Sequence, residues 1–416
     1  MDEPAVSGPG AGHGAVLNSP ETRWLACAIL ITAMGNGLYL AGAVLFLTRS
    51  VGLTATEVGA GLTIAGLLGL GAGPVAGHLA DRIGAREVYL ITLTAEGLAT
   101  GALALVHGFT AFVVIAVAVG IAEQGSRAAR GALIARVGGR RRAHLRGYLR
   151  SVTNIGVAVG VGGAGLAILH DTHAAYLILI LADAASFLLT ALLIARIPRQ
   201  PPLPKPADDN AGRLDLPYLG VTAVYGVLSL HYAVLTVVLP LWIVTHTSAP
   251  AWLVSPLLLT NTLLVVFLQV RAGRRVDSIA DGAAITRRAA ILLASGCLLF
   301  TMTAAAPPLL AGLLLTLTVV VYTMGEIGQA AGEFELSFAL APDHAQGRYQ
   351  GIFGMGTGIC VAAAPALLSL LCIDWGRVGW ILFGAILLAA GLAVEPMARW
   401  AQSPARSPAP PGPNVR

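Results

Sequence analysis

The feature that most constrains this chain is a series of apolar runs, each long enough to cross a lipid bilayer as a helix. A helix needs about 20 apolar residues to span the hydrocarbon core of a membrane. Twelve such runs lie near residues 24–48, 56–80, 87–107, 109–134, 147–169, 174–196, 217–245, 251–271, 287–306, 309–334, 348–371 and 376–396. The sequence therefore predicts an all-α integral membrane protein with twelve transmembrane helices.

The composition also indicates that the chain lies in a lipid bilayer, and it argues against several classes of protein. Only 11% of the 416 residues are charged, whereas a soluble domain carries about 25%. The arginines stand in short clusters between apolar runs, which argues against nucleic-acid binding. The four cysteines and nine histidines show no metal-ligand spacing, so we expect neither a metal site nor a cofactor. No catalytic constellation gathers at one membrane face, so we do not expect an enzyme.

The distribution of basic residues predicts the orientation of the chain. With the N-terminus in the cytoplasm, nearly all Lys and Arg residues fall on the inner side, and Arg49 and Arg377 alone fall outside. This asymmetry matches the positive-inside rule and predicts that both termini are cytoplasmic. Lys205 is the single lysine, and alanine and glycine abound, as is typical of GC-rich bacteria. The expected location is therefore a bacterial plasma membrane.

A charged, proline-rich segment divides the chain into two halves. Residues 197–215 predict a cytoplasmic linker between an N-terminal six-helix bundle at 23–196 and a C-terminal six-helix bundle at 216–397. Residues 1–22 and 398–416 predict disordered cytoplasmic tails. The halves resemble each other, since Glu123 in the fourth span corresponds to Glu326 in the tenth. Such repeats are typical of secondary transporters, and we expect two pseudo-symmetric bundles and a monomer.

A short polar turn after the second span carries a recognisable motif. Residues 77–86 read G-H-L-A-D-R-I-G-A-R and resemble the signature loop between helices 2 and 3 of the major facilitator superfamily, roughly G-x-L-A-D-R-x-G-R-[RK]. The gating-motif positions are Gly77, Asp81, Arg82, Gly84 and Arg86. The family usually has a basic residue where this chain has Ala85. The resemblance implies that Asp81 contacts the start of helix 11, near Arg348, and latches the two halves in the outward-open state.

The residues of this motif also have local physical roles. Gly77 permits close approach of a neighbouring helix, and Gly84 permits a tight turn. The Asp81 carboxylate can accept hydrogen bonds from arginines or from a helix N-terminus. For Arg82 and Arg86 the alternative role is plain anchoring at the cytoplasmic surface.

Ionisable residues inside the spans are costly and are therefore candidates for proton coupling. Glu326 lies in the inner third of the tenth span, where a lone carboxylate can carry a proton; alternatively it pairs with Arg127 across the halves as an inner gate. Glu123 and Arg127 stand four residues apart on one face of the fourth span, an orientation that favours an ion pair. The alternative for this pair is a neutralised contact that only locks its helix.

Further carboxylates lie in spans that the family places at the periphery. Asp183, near the middle of the sixth span, is also a proton-coupling candidate. The alternative is a structural role in which Ser186 and Thr190 on the same face donate hydrogen bonds to its carboxylate. Glu96 occupies the third span. Glu333 is expected at the membrane interface, near the inner end of the tenth span.

Uncharged polar side chains within the spans are candidates to bind a substrate. They are Asn36, Tyr39, Asn154, His231, Tyr232, Asn261, Tyr322 and Gln329. The alternative for each is an interhelical hydrogen bond. His231 stands out because a histidine near the midplane can titrate.

The overall pattern is closest to bacterial drug-efflux members of the superfamily. This resemblance implies a secondary active transporter that exports amphipathic small molecules, such as drugs or secondary metabolites, by proton-coupled alternating access. Its partners are then the substrate, protons and the lipid bilayer. The alternative is a proton-coupled importer or facilitator of a small polar metabolite, which the mostly apolar surroundings of the candidate residues disfavour.

Overall fold

The computed structural model describes residues 19–170, 172–201, 215–274 and 276–402, and every regular element in these ranges is helical. This confirms the all-α fold and its twelve membrane helices. The helices are α1 (Pro20–Leu45), α2 (Ala55–Gly69 and Ala72–Ile83), α3 (Ala85–Ala102), α4 (Phe109–Gly138), α5 (Arg142–His170), α6 (His173–Ile194), α7 (Leu216–Ser229 and Leu239–His246), α8 (Val254–Gly273), α9 (Ile279–Thr303), α10 (Pro308–Ala339), α11 (Gln346–Leu368) and α12 (Gly376–Ala401).

Eleven of these helices are long and apolar enough to cross a membrane by length and composition alone. The remaining one, α5, combines arginines in its first turns with a glycine-rich run at 156–165. Residues 152–169 of α5 carry no charge, and Gly156 and Gly160 of this run pack against α1.

The helix ends differ slightly from the spans and tails expected from the sequence. Ser19 caps α1 by accepting a hydrogen bond from the Thr22 backbone N–H at 3.2 Å, a preferred N-cap arrangement, so residues 20–22 are helical. The last helix continues through Ala401, so residues 398–401 are helical too. The rest of the expected tails and most of the expected linker, at 1–18, 202–214 and 403–416, lie outside the described residues.

Helix α7 is interrupted near its middle. Its first part ends at Ser229, a π-helical turn occupies Val234–Val238, and its second part begins at Leu239. Pro240 follows directly, and a proline lacks the N–H that a continuous helix needs. The interruption frees backbone groups in the apolar part of the span, where each must find a partner.

The chain forms two compact units. Unit 1 contains α1 to α6 together with Gln346–Met355, the beginning of α11, and unit 2 contains α7 to α10, the rest of α11 and α12. Unit 1 includes Gln346–Met355, which the sequence assigns to the C-terminal bundle. The contacts responsible for this difference involve the motif loop described below.

Glycines bring helix backbones together inside each unit. In unit 1, a Cβ atom at Gly160 of α5 would collide with the Met34 carbonyl oxygen of α1. In unit 2, a Cβ atom at Gly226 of α7 would lie 3.2 Å from the Gly356 carbonyl oxygen of α11. Close backbone packing supplies much of the attraction between helices in lipid. In each half, the first and fifth helices thus pack through a glycine that lets their backbones come close.

Candidate coupling and substrate sites

A cluster of polar side chains lies along α10 inside unit 2. At its centre is Gln329, which is fully buried. Its Oε1 atom accepts a hydrogen bond from Tyr232 Oη at 3.2 Å and lies 3.3 Å from His231 Nε2. Its Nε2 atom donates to Glu333 Oε2 at 3.0 Å. Gln329 therefore connects a histidine and a tyrosine of α7 with a carboxylate of α10.

Glu326 lies one turn before Gln329 and is bonded to α8. Asn261 Nδ2 donates to Glu326 Oε2 at 2.9 Å and to Thr323 Oγ1 at 3.0 Å. Eighteen residues separate Glu326 from Pro308, the first residue of α10, which places it about 27 Å along that helix. A carboxamide carries both donors and an acceptor, so Asn261 can serve either a carboxylate or a carboxylic acid.

The interruption of α7 is stabilised by the same cluster. Tyr322 is fully buried, and its Oη atom donates to the His231 carbonyl oxygen at 3.3 Å. The His231 and Tyr232 rings also pack against each other, with centroids 4.2 Å apart. The His231 carbonyl oxygen also accepts a hydrogen bond from the Val234 backbone N–H at 3.0 Å, so Tyr322 adds a second donor at the interruption. Six side chains singled out by the sequence meet in this α10 polar cluster: Glu326, His231, Tyr232, Asn261, Tyr322 and Gln329.

The interfacial position expected for Glu333 stays a prediction, because this residue lies 25 residues after Pro308, about 38 Å along α10. Its side chain is buried, with 8% exposed, and accepts the hydrogen bond from Gln329. The α10 helix also continues beyond it to Ala339. An internal donor one turn earlier therefore lets this carboxylate stay inside unit 2.

The ion pair expected on α4 is present. Arg127 Nη2 donates to Glu123 Oε1, and the two side chains keep 60% and 41% of their surface exposed, respectively. Charged groups at membrane depth normally face the protein interior or water. This face of α4 therefore borders a polar medium rather than lipid.

Asp183 is buried against α1. Only 2% of the residue is exposed, and Ser186 Oγ reaches its Oδ1 atom at 3.5 Å, a long hydrogen bond. Thr190 does not serve Asp183, because its hydroxyl instead bonds the Ala28 carbonyl oxygen at 3.0 Å. A Cβ atom at Gly35 of α1 would strike both Asp183 and Ser186. The pocket for this carboxylate thus depends on a glycine of another helix, which the sequence pattern did not reveal.

The remaining substrate-binding candidates lie in unit 1 and are not gathered into a bonded cluster. Asn36 is exposed, and Tyr39 and Asn154 are half-buried. Within the described ranges these three side chains make no hydrogen bond. Their polar atoms therefore remain available to a ligand.

The motif loop turns sharply between α2 and α3. Gly84 joins the two helices with φ of 115°, a left-handed conformation that favours glycine. Arg86 of α3 then donates to the Ala195 carbonyl oxygen at 2.6 Å and forms an ion pair with Glu87 at 3.0 Å. Arg86 thus binds the carboxyl end of α6, where a cation is favoured, while Arg82 is exposed.

Asp81 caps the first turn of α11 within unit 1. Its Oδ1 and Oδ2 atoms accept hydrogen bonds from the backbone N–H groups of Gly347 and Arg348, each at 2.7 Å. A carboxylate is favoured at this positive end of a helix. A Cβ atom at Gly77 would collide with the Gly347 carbonyl oxygen, so the contact needs a glycine on α2.

Sequence reasoning missed a second contact to the start of α11. Arg146 Nη1 of α5 donates to Gln350 Oε1 at 2.8 Å. A Cβ atom at Gly131 of α4 would lie 3.1 Å from the Gln350 Cβ atom. Gln350 carries no charge and belongs to no motif, so only the packed helices reveal its partners.

Comparisons with known proteins agree with this architecture. The family model described as Major Facilitator Superfamily matches residues 25–332. A bacterial homologue of the iron transporter ferroportin, solved in an outward-facing state, has a TM-score of 0.72 at 16% identity, over 92% of this chain and 100% of that chain. The fucose:proton symporter of E. coli has a TM-score of 0.68 at 14% identity, over 92% and 98% of the two chains.

A third similar structure is the human organic anion transporter MFSD10, with a TM-score of 0.67 at 15% identity, over 91% of this chain and 100% of that chain. At these identities the likeness shows the fold alone. The curated protein sequences give no match. Because the family model covers well over half of the residues, this multi-pass membrane protein belongs to the Major Facilitator Superfamily of transporters.

Proposed function

We propose that this transporter is a proton-coupled exporter of amphipathic small molecules, with Glu326 as the group that carries the coupling proton. The observation that supports this assignment is the hydrogen bond from Asn261 to Glu326 inside the α10 polar cluster. The partner is a neutral amide, which can donate to the charged carboxylate and accept from the neutral acid. Rotation of this one amide can therefore accommodate both protonation states of the Glu326 carboxyl group.

The second carboxylate of the cluster extends this role. Glu333 follows Glu326 by seven residues, about 10.5 Å along the same helix, and Gln329 between them bonds both Glu333 and the residues of α7. In this proposal a change of charge at Glu326 alters the contacts of α10 with α7 and α8. Alternating access in repeat-built transporters involves changes of this kind.

The substrate class follows from the chemistry of the available side chains. Asn36, Tyr39 and Asn154 offer isolated hydrogen-bonding atoms on mostly apolar helices. Binding sites of this composition suit molecules with a large apolar body and a few polar groups. The exposed Glu123–Arg127 pair adds charge of both signs on α4. Amphipathic compounds therefore fit these residues better than sugars.

Import of a small polar metabolite is the second candidate. The density of hydrogen-bonding groups around Gln329 favours it, and one similar structure is a fucose:proton symporter. A shared fold does not decide between the two, because function belongs to the site rather than to the fold.

Dye accumulation in cells that lack their own efflux pumps tests both the direction of transport and the role of Glu326. Cells producing this protein are expected to hold less of a fluorescent cationic dye than empty cells, and a proton uncoupler should abolish the difference. Glu326→Gln should restore the accumulation seen in empty cells, because it removes the titrating group at nearly the same size.

The matched control is Glu395→Gln. Glu395 is paired with Arg287 and Arg399 near the end of α12, so this variant should export like the wild type. Full export by Glu326→Gln, with equal protein in the membrane, contradicts its role. Failure of the wild type to export any amphipathic dye, together with proton-driven uptake of a polar solute into vesicles, would establish the second candidate instead.

A further inference from the structure

A groove on unit 2, formed by α8, α9 and α10, has the two-part chemistry of a phospholipid site. Its volume is about 340 Å³, and ten residues line it. Eight of these are apolar or glycine, among them Ala272, Ile285, Ala289 and Leu292. The other two are Arg271 and Arg288, and both are exposed.

The arginines lie at one end of the apolar part of their helices. Arg271 stands two residues before the end of α8, and Arg288 directly precedes the long apolar stretch of α9 that begins at Ala289. Leu292, one turn further along α9, belongs to the apolar wall of the groove. The lining of the groove is thus almost wholly apolar, and the two exposed arginines stand at its rim, on the side nearer the connection between α8 and α9. The positive-inside rule assigns this rim to the cytoplasmic surface.

The guanidinium groups of Arg271 and Arg288 have N–H groups that can donate hydrogen bonds to a ligand. Arg288 has no carboxylate partner in the part of the chain that the structure describes. Arg271 uses Nη1 for the Phe267 carbonyl oxygen of its own helix at 2.9 Å, which leaves other N–H groups, since a guanidinium carries five. The neighbouring Arg287 differs, because it pairs with Glu395 at 3.2 Å.

We propose that this groove binds an anionic phospholipid, with the phosphate held by Arg271 and Arg288 and an acyl chain along the apolar wall. Basic pockets between membrane helices at the cytoplasmic side are suited to acidic headgroups. Arginine is well matched to phosphate because its planar fork donates two parallel hydrogen bonds. The apolar wall selects a lipid over a free phosphate ion. The site is separate from the α10 polar cluster and does not depend on the transported substrate.

Native mass spectrometry of the purified protein with titrated lipid tests the site. Phosphatidylglycerol is expected to bind at least 5-fold more tightly than phosphatidylcholine with the same acyl chains. Arg271→Ala and Arg288→Ala should each weaken phosphatidylglycerol binding about 5-fold. Arg271→Lys with Arg288→Lys should retain most of it, because the charge remains. The matched control, Arg287→Ala, should stay within 2-fold of the wild type.

Two further arms separate the groove from general surface charge. Glycerol 1-phosphate, which has the headgroup chemistry without chains, should not compete with the lipid at equal concentration. Ala272→Leu, which narrows the apolar wall and leaves both arginines, should weaken binding. Equal affinity for the two lipids overturns the proposal. A loss of phosphatidylglycerol affinity in Arg287→Ala as large as that in Arg288→Ala also overturns it, since surface charge alone would then explain binding.

Discussion

At the scale of single residues, the intramembrane polar side chains divide into those that bond within one helix and those that bond across helices. Glu123 and Arg127 satisfy each other four residues apart. Glu326 and Asp81 instead depend on partners 65 and 266 positions away. Sequence reasoning identified Glu123, Arg127 and Glu326 because charge in a lipid medium is costly, and it identified Asp81 through its motif. Helical spacing anticipated the local pair and the motif resemblance anticipated the partner of Asp81, whereas the partner of Glu326 depends on which helices pack together.

The Asp81 contact gives a prediction at this scale. An asparagine at position 81 has one oxygen to accept a hydrogen bond, and its amide N–H₂ would face a backbone donor. Loss of one charge-assisted bond should weaken the contact by about 2 kcal/mol. Asp81→Asn should therefore speed hydrogen–deuterium exchange of the amides of Gly347 and Arg348 by roughly 30-fold, and we expect it to slow transport.

The control for this variant is Asp281→Asn. Asp281 lies in the first turn of α9 and accepts a hydrogen bond from Ser278 Oγ at 2.7 Å, so its charge acts locally. This variant should leave exchange at the start of α11 unchanged. Unaltered exchange in Asp81→Asn would show that the carboxylate does not hold that segment and would remove the basis for a latch.

At the scale of elements, glycines in a single run differ in their surroundings. On α5, Gly160 touches the backbone of α1, whereas a Cβ atom at Gly162 would meet nothing within 4 Å. A count of glycines predicts close packing somewhere along such a helix. It does not say which face is packed, because the helix can rotate about its axis until a partner fixes it.

The two positions should respond oppositely to alanine. At Gly160 the added methyl group meets the Met34 carbonyl oxygen, and overpacking of this kind costs about 1–3 kcal/mol. At Gly162 it enters open space and improves helix propensity by up to about 1 kcal/mol. Thermal unfolding in detergent should show a lower midpoint for Gly160→Ala and an equal or higher one for Gly162→Ala. Equal losses in both variants would contradict the packing of α5 against α1.

The ends of a helix could be predicted where they coincide with the ends of its apolar run. They could not be predicted where polar residues continue the helix beyond that run. The apolar run of the tenth span stops near residue 334, yet α10 reaches Ala339. The fifth span starts five residues before its apolar run, at Arg142. Hydropathy therefore located the spans well but placed these two helix ends too early or too late.

At the scale of the whole molecule, the two halves repeat an architecture but not its chemistry. Glu123 and Glu326 occupy corresponding helices, α4 and α10. The first is paired with a guanidinium on its own helix, and the second with an amide from another helix. This asymmetry is the reason to assign proton coupling to the C-terminal half.

The orientation of the whole chain can be tested at the two ends of α8. Ala251 and Ala280 are both exposed and flank this helix, in the turn before it and in the first turn of α9. In a variant without the native cysteines, Ala251→Cys should react with a membrane-impermeant thiol reagent in intact cells. Ala280→Cys should react only after the cells are permeabilised, because the arginines nearby predict that this side is cytoplasmic. The reverse pattern would place both termini outside and would also move the proposed lipid groove to the outer leaflet.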